Sequence, residues 1–160
     1  MYSKHEIENC IFPGSCLEEL KKFPDESIDC CVTSPPYYGL RNYHTEYSIW
    51  PSLNDLENNH TCSHRKWNPI KAGQNTSWFC DDGCGHWKGE LGMEPSPELF
   101  VDHLTMIFHE IIRAMKPHGT CWVNLGDTYY GKDFPKRNDL KSKDLIGTPW
   151  MMAKSFQKDG

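Results

Sequence analysis

The segment Ser34-Pro35-Pro36-Tyr37 combines hydrogen-bond acceptors and a flat aromatic ring at the end of an apolar run. The Ser34 hydroxyl and the Pro35 carbonyl can accept hydrogen bonds from an amino group. The two prolines stiffen the turn and carry no N–H that would compete for these acceptors. The Tyr37 ring offers a face on which a flat ligand can stack. Taken alone, the segment also fits an ordinary junction between a strand and a turn, so its chemistry depends on the elements around it.

Those elements follow an α/β order. The patterns predict strands at 7–12, 28–33 and 120–125, the last two of them apolar runs typical of strands buried on both faces. Helices are predicted at 16–23 with Ser15 as N-cap, from Ser96-Pro97 to about Met115, and from Thr148-Pro149 to Gln157. The segment Lys116-Pro117-His118-Gly119 is expected to end the middle helix, on which His103 and His109 are expected to lie on the exposed or boundary side.

This order predicts a parallel sheet in which ligands bind at the carboxyl ends of the strands. Two polar clusters fall at such ends. One is Ser34 to Tyr37, and the other is Asn124-Leu125-Gly126-Asp127. The second cluster also fits a plain turn between a strand and a loop.

Residues 39–95 show no sustained hydrophobic period, which is unusual for a segment inside a compact domain. Cys62-x-His64 and Cys80-x3-Cys84 lie in this segment, and His86 is an alternative to Cys84. Two close pairs of thiolate and imidazole ligands are what a structural zinc ion requires, and a bound metal would order the segment. Free thiols in a polar loop are the other interpretation.

Charge alone does not indicate a nucleic-acid partner, since the formal net charge is −5. Residues 131–160 nevertheless carry seven basic and four acidic side chains, a net charge of +3. A phosphate-binding surface is therefore expected toward the C-terminus or beyond it. No apolar run approaches the length of a membrane span and the N-terminus has no signal segment, so a cytoplasmic protein without a membrane partner is expected.

Val32-Thr33-Ser34-Pro35-Pro36-Tyr37 closely resembles the catalytic motif of site-specific amino-group DNA methyltransferases, in the branch whose catalytic motif comes first. Further segments are similar to that family across nearly the whole chain: 24–29, 38–43, 91–98, 116–120, 122–129 and 143–150. Serine as the first residue of the motif is similar to the cytosine-N4 enzymes, whereas the adenine-N6 enzymes more often have aspartate.

The resemblance implies an incomplete Rossmann-like, S-adenosylmethionine-dependent methyltransferase sheet of restriction–modification or phage type. Ser34, Pro35, Pro36 and Tyr37 would hold a base taken out of double-stranded DNA. Ser15, where the family usually has an acid facing the adenine of the cofactor, would bind S-adenosylmethionine together with Asn124, Gly126 and Asp127. The alternatives are an adenine-N6 enzyme and a non-catalytic, zinc-containing DNA-binding fragment, while Ser34 argues against an enzyme acting on RNA or on protein glutamine.

The family's aromatic-x-Gly-x-Gly cofactor loop has no counterpart in the sequence. Residues 1–160 are therefore expected to form part of a catalytic domain, with an insertion at about 44–92. The cofactor loop and the target-recognition region would then be supplied by a missing C-terminal part or by a second subunit.

Overall fold

The computed structural model describes residues 1–52, 66–72, 75–132 and 134–159. Three α-helices and six strands are present in this part of the chain. The helices are α1 (Cys16–Leu20), α2 (Pro97–Ala114) and α3 (Thr148–Asp159). The strands are β1 (Ile28–Thr33), β2 (Ser48–Trp50), β3 (Trp67–Ala72), β4 (Asn75–Cys80), β5 (Trp87–Gly89) and β6 (Met115–Val123).

Strands β1 and β6 form the predicted parallel pair, in the register Cys31 with Cys121 and Thr33 with Val123. The pairing continues past the ends of the strands, because the Asn124 N–H donates to the Thr33 carbonyl at 2.9 Å. Helix α2 connects the two strands and begins as its sequence predicts, with the Ser96 hydroxyl accepting from the Leu99 N–H. The α/β architecture with a parallel sheet is confirmed.

Helix α2 supplies most of the core. Its buried side chains include Phe100 and Leu104, which are fully enclosed. Helix α3 packs against α2 through Phe108 and Phe156, whose ring centroids lie 4.7 Å apart. In the ranges that the structure describes, no helix combines the length and the apolar character that crossing a membrane requires.

Several predicted elements differ from the structure. The helix predicted at 16–23 ends at Leu20. Residues 7–12 form no strand, since Phe12 packs against Tyr2 and Phe23 (centroids 5.0 and 5.1 Å away) and this aromatic cluster holds the segment beside α1. Helix α2 ends at Ala114, and residues 116–119, which were expected to stop it, already belong to β6. The register of β1 against β6 shifts between Ile28 and Cys30, and such an irregularity accommodates a proline, here Pro117, in a strand.

The segment predicted to be irregular contains an antiparallel sheet with the strand order β2-β5-β4-β3. Two of its strands are only three residues long, too short to show a period in the sequence. Cross-strand pairs of large side chains hold it together, as where Trp50 lies opposite Trp87. The part of the insertion that can be described is therefore a small second sheet.

The outer face of the parallel pair is exposed, which contradicts the expectation of strands buried on both faces. Val32 and its partner in the register, Trp122, keep 79% and 65% of their surface accessible. Cys31 and Val123 lie toward the core on the opposite face. The two strands are thus covered on one side only within the described residues.

Asp127 caps helix α3. Its carboxylate accepts hydrogen bonds from the backbone N–H of Gly147 (2.9 Å) and of Thr148 (3.3 Å), and from the Thr148 hydroxyl (3.3 Å). A carboxylate also complements the positive end of the helix dipole. The turn after β6 and the start of α3 are therefore tied together.

Replacing Asp127 with alanine should lower the free energy of unfolding by about 1–2 kcal/mol, because the first turn of α3 loses its cap. Asp127→Asn is the matched control, since the amide oxygen can still accept from the same backbone groups and most of the stability should be retained. Urea denaturation followed by circular dichroism measures both. Equal losses for the two variants would contradict the capping role.

Candidate functional site

The two polar clusters meet because β1 and β6 are parallel and adjacent. The ring of Tyr37 lies directly over Gly126: a Cβ on that glycine would come within 2.5 Å of Tyr37 Cε2. Any side chain at position 126 would displace the ring. The structure thus places the Ser34–Tyr37 turn beside the Asn124–Asp127 cluster that follows β6.

The residues after the motif anchor it. Tyr38 is buried, with its ring centroid 5.5 Å from those of both Phe100 and Phe134. Its carbonyl accepts a hydrogen bond from the Thr128 hydroxyl at 2.6 Å. Burial raises the pKa of the Tyr38 phenol well above its usual range, so this group stays protonated. Tyr38 therefore serves as a fixed point behind the turn.

A cavity of about 410 Å³ opens beside the motif. Ser34 and Pro36 line it on one side, and Ser15 and Cys16 line it where α1 begins. The inserted sheet and the segments flanking it supply the remaining wall: Tyr43, Thr45, Glu46, Ser48, Trp50, Glu90 and Leu91. Three predicted site residues thus share one cavity: Ser15, predicted to bind the methyl donor, and Ser34 and Pro36 of the motif.

Helix α1 holds Ser15 in place. Ser15 is the N-cap residue, but its hydroxyl makes no capping hydrogen bond. The helix is attached to α2 through Arg113, which donates to the carbonyls of Leu20 (2.9 Å) and Phe23 (3.1 Å). The Ser15 hydroxyl lies at the cavity without being used by the helix.

Glu90 and Trp50 are cavity residues that the sequence analysis missed. Glu90 is 6% exposed, and its Oε1 accepts from the Tyr43 N–H at 2.6 Å. Glu90 Oε2 and Trp50 Nε1 are buried and have no hydrogen-bond partner among the described residues. Little in the sequence signals the burial of Glu90, because Lys88 lies two positions before it and acids are mostly exposed.

The other predicted donor-binding residues have different surroundings. Asn124 is exposed at the end of β6, beside Thr33. Gly126 supports the Tyr37 ring, and the carboxylate of Asp127 is engaged by the backbone at the start of α3. None of these three lines the cavity that contains Ser15 and Ser34.

Of the predicted zinc ligands, Cys62 and His64 lie outside the described residues. Cys80 is buried at the end of β4 and Cys84 is half-buried in the turn that follows. That turn is closed by hydrogen bonds from the Cys80 N–H to the His86 carbonyl (2.9 Å) and from the Gly83 N–H to the Cys80 carbonyl (3.4 Å). Among the residues whose positions are given, no group of three or more potential metal ligands occurs, so the zinc site stays a prediction.

Curated proteins match the chain along almost its whole length. It is 30% identical over 168 residues to the Type II methyltransferase M.Cfr9I of Citrobacter freundii, in a match covering 94% of this chain and 42% of that protein. It is 28% identical over 173 residues to the Type II methyltransferase M.SmaI of Serratia marcescens, covering 96% and 45%. The Type II methyltransferase M.XycI of Xanthomonas campestris pv. cyanopsidis is 29% identical, with coverage of 94% and 42%.

The chain thus spans less than half the length of these curated relatives. No protein-family model matches it, and a comparison with solved structures finds no match. Over nearly its whole length the chain is a relative of the Type II DNA methyltransferases, which confirms the family resemblance of its motifs.

Proposed function

We propose that this chain supplies the amino-group-binding part of a site-specific DNA methyltransferase that transfers the methyl group of S-adenosylmethionine to N4 of cytosine, in a restriction–modification or phage setting. The observation that carries the proposal is the place of the Ser34–Tyr37 turn. It stands at the carboxyl end of a parallel strand, beside the end of the adjacent strand and at the wall of the 410 Å³ cavity. Ligands of parallel sheets bind at such ends.

The chemistry asks little of the protein beyond positioning. The lone pair of an exocyclic amino nitrogen is delocalised into the base. Hydrogen bonds from that amino group to Ser34 Oγ and to the Pro35 carbonyl would localise the pair on nitrogen. The nitrogen then attacks the methyl carbon in line: the N–C bond forms, the S–C bond of the sulfonium breaks, and one amino proton is released to water. Fixed acceptors and orientation supply the rate enhancement.

Two features support the proposal that S-adenosylmethionine and double-stranded DNA are the substrates. Ser15, whose hydroxyl is not used by α1, lines the cavity at the side that the family resemblance assigns to the adenine of the methyl donor. Exposed lysines at 132, 136, 141 and 143 lie in the basic C-terminal segment, where phosphates of double-stranded DNA would be neutralised. Arg137 is already paired with Glu98 and Asp139, so it adds less to this surface.

The base and the function are tested together. Because residues 1–160 are expected to lack the cofactor loop, the chain is purified together with the continuation or subunit that supplies this loop. This protein is incubated with labelled S-adenosylmethionine and mixed-sequence duplex DNA, and the digested nucleosides are identified. N4-methylcytosine is the expected product, and N6-methyladenine would move the enzyme to the adenine branch. Ser34→Ala should reduce transfer about a hundredfold or more while DNA binding is retained, because one fixed acceptor is lost.

Ser155→Ala serves as the control for that substitution. Ser155 shares a hydrogen bond with Thr105 between α3 and α2, away from the cavity, and its loss should leave transfer unchanged. Equal transfer by the Ser34→Ala variant and the unmodified chain would overturn the assigned role of Ser34.

The exposed outer face of β1 and β6 supports a further part of the proposal: additional chain covers it, as a C-terminal continuation or as a second subunit that carries the cofactor loop and the target-recognition region. Parallel sheets are normally covered on both faces, and the relatives are more than twice as long as the matched segment. Residues 1–160 would then be a partial catalytic domain.

The uncovered face should bind a hydrophobic dye such as 1-anilinonaphthalene-8-sulfonate. Val32→Thr combined with Trp122→Thr should reduce dye fluorescence to about half or less, because Val32 and Trp122 are its most exposed large side chains. Ile49→Thr, which changes an exposed apolar residue on the other sheet, is the control and should have little effect. Unchanged fluorescence in the double variant would contradict the proposal that further chain covers the outer face of β1 and β6.

A structural zinc ion held by Cys62, His64, Cys80 and Cys84 is proposed for the insertion. The turn from Cys80 to Cys84 supports this site, because Cys80 ends strand β4 and Cys84 lies in the turn that follows it. Metal analysis after chelator-free purification should give about one equivalent of zinc, and Cys84→Ser should lower it several-fold. Less than about a tenth of an equivalent in the unmodified protein would exclude the site.

A further inference from the structure

Glu94 and His103 form a pair that is fully enclosed and that the proposed chemistry does not use. Glu94 Oε1 lies 2.9 Å from His103 Nδ1, and neither side chain has any accessible surface. The prediction that His103 lies on the exposed or boundary side of α2 is therefore wrong. His109 is exposed, as predicted. Burial raises the pKa of the Glu94 carboxyl, and the hydrogen bond from His103 opposes that rise. Enclosing two ionisable groups costs free energy, so the arrangement calls for an explanation.

The second oxygen of Glu94 leads to the catalytic turn. Glu94 Oε2 accepts the Gly92 N–H at 2.8 Å. Gly92 has a φ of +92°, and a Cβ built on it would lie 3.0 Å from the Tyr37 carbonyl oxygen and 3.2 Å from Pro36 Cβ. The Gly92 carbonyl in turn accepts the Gly39 N–H at 2.7 Å. Gly92 thus contacts the motif directly and is hydrogen-bonded to Gly39, two positions after Tyr37.

The imidazole of His103 leads to the inserted sheet. Its ring lies between the indoles of Trp50 and Trp87, with centroid separations of 4.9 and 5.3 Å and interplanar angles of 22° and 27°. Trp50 belongs to β2 and also lines the cavity with Ser34. His103 Nε2 has no hydrogen-bond partner within the described part of the chain. The ring is held by stacking on two sides and by Glu94 alone through hydrogen bonding.

We propose that Glu94 and His103 are positioning residues, which fix the backbone of the Ser34–Tyr37 turn through Gly92 and tie that turn to the inserted sheet. His103 orients the carboxylate, the carboxylate holds Gly92, and Gly92 packs under Pro36 and Tyr37. A turn that works by holding an amino group in place needs such support, because small displacements of the acceptors reduce the rate steeply. The catalytic meaning of the pair rests on the proposed function, whereas the structural connection does not.

The connection is measured by amide hydrogen exchange of Gly39 and Gly92, followed by NMR on the full chain. In the Glu94→Ala variant both amides should exchange about tenfold faster or more, because the Gly92 N–H loses its acceptor and the loop loosens. Glu94→Gln should restore most of the protection, since its amide oxygen can accept from Gly92. Glu98→Ala, at a partly exposed surface pair with Arg137, should leave both amides as they are.

A second pair of variants, both on α2, keeps the proposal testable if the Glu94→Ala variant does not fold. His103→Phe keeps a ring between the two indoles but removes the hydrogen bond to Glu94, and should accelerate exchange at Gly92 and Gly39. His109→Phe makes the same substitution at an exposed position of α2 and should not. If exchange at Gly39 and Gly92 is unchanged in His103→Phe, with Glu94→Ala unchanged or unfolded, the proposed connection is wrong.

Activity separates positioning from general stability. In the methylation assay, Glu94→Ala or, should that variant not fold, His103→Phe is expected to lower kcat about tenfold or more with KM for DNA and for S-adenosylmethionine within about twofold. A rise in KM with unchanged kcat would overturn the positioning role. Absence of transfer by the unmodified protein, assayed together with the part that supplies the cofactor loop, would count against the proposed function alone. The exchange data would still decide whether the pair holds the turn.

Discussion

The parallel pairing of β1 with β6 is the constraint on which the rest of this structure depends. Parallel neighbours end at the same edge of a sheet, so two polar segments almost ninety residues apart in the chain become adjacent. Helix α2 makes the connection possible, since parallel strands need a long crossover and its apolar face covers one side of the pair. Gly126 then allows the Tyr37 ring to settle on the neighbouring turn. The proposed chemistry is thus a consequence of topology before it is one of individual side chains.

The inserted sheet contributes residues to the wall of the cavity beside Ser34. Trp50 lines the cavity and also stacks on His103, while Glu90 follows β5 and faces the same cavity. The segment from Glu90 to Glu94 runs from this sheet to α2 and contacts the Ser34–Tyr37 turn at Gly92. A short stretch of chain therefore joins three structural units, and its polar groups are enclosed where the units meet. This explains why both of its acids, Glu90 and Glu94, are buried despite their cost.

Within the described residues, the parallel pair is covered on one face only. Its inner face packs on the core, but Val32 and Trp122 stand out on the other face in a way that doubly covered α/β sheets avoid. The relatives are more than twice as long as the region they share with this chain. One physical picture accommodates both observations, in which the proposed site for the amino group of the base lies on this segment and the remaining layers of the domain are added against the exposed face.

Several features follow from the sequence alone because their causes are local. The apolar run at 28–33 gives β1, the Ser96-Pro97 start gives α2, and the serine–proline–proline–tyrosine motif carries the family relationship and the predicted chemistry. Other features depend on partners that are distant in the chain. Which face of α2 receives His103, how Asp127 comes to cap α3, and why residues 7–12 lie beside an aromatic cluster are decided by packing. The inserted sheet escaped prediction because its short strands are stabilised by cross-strand contacts that no periodicity records.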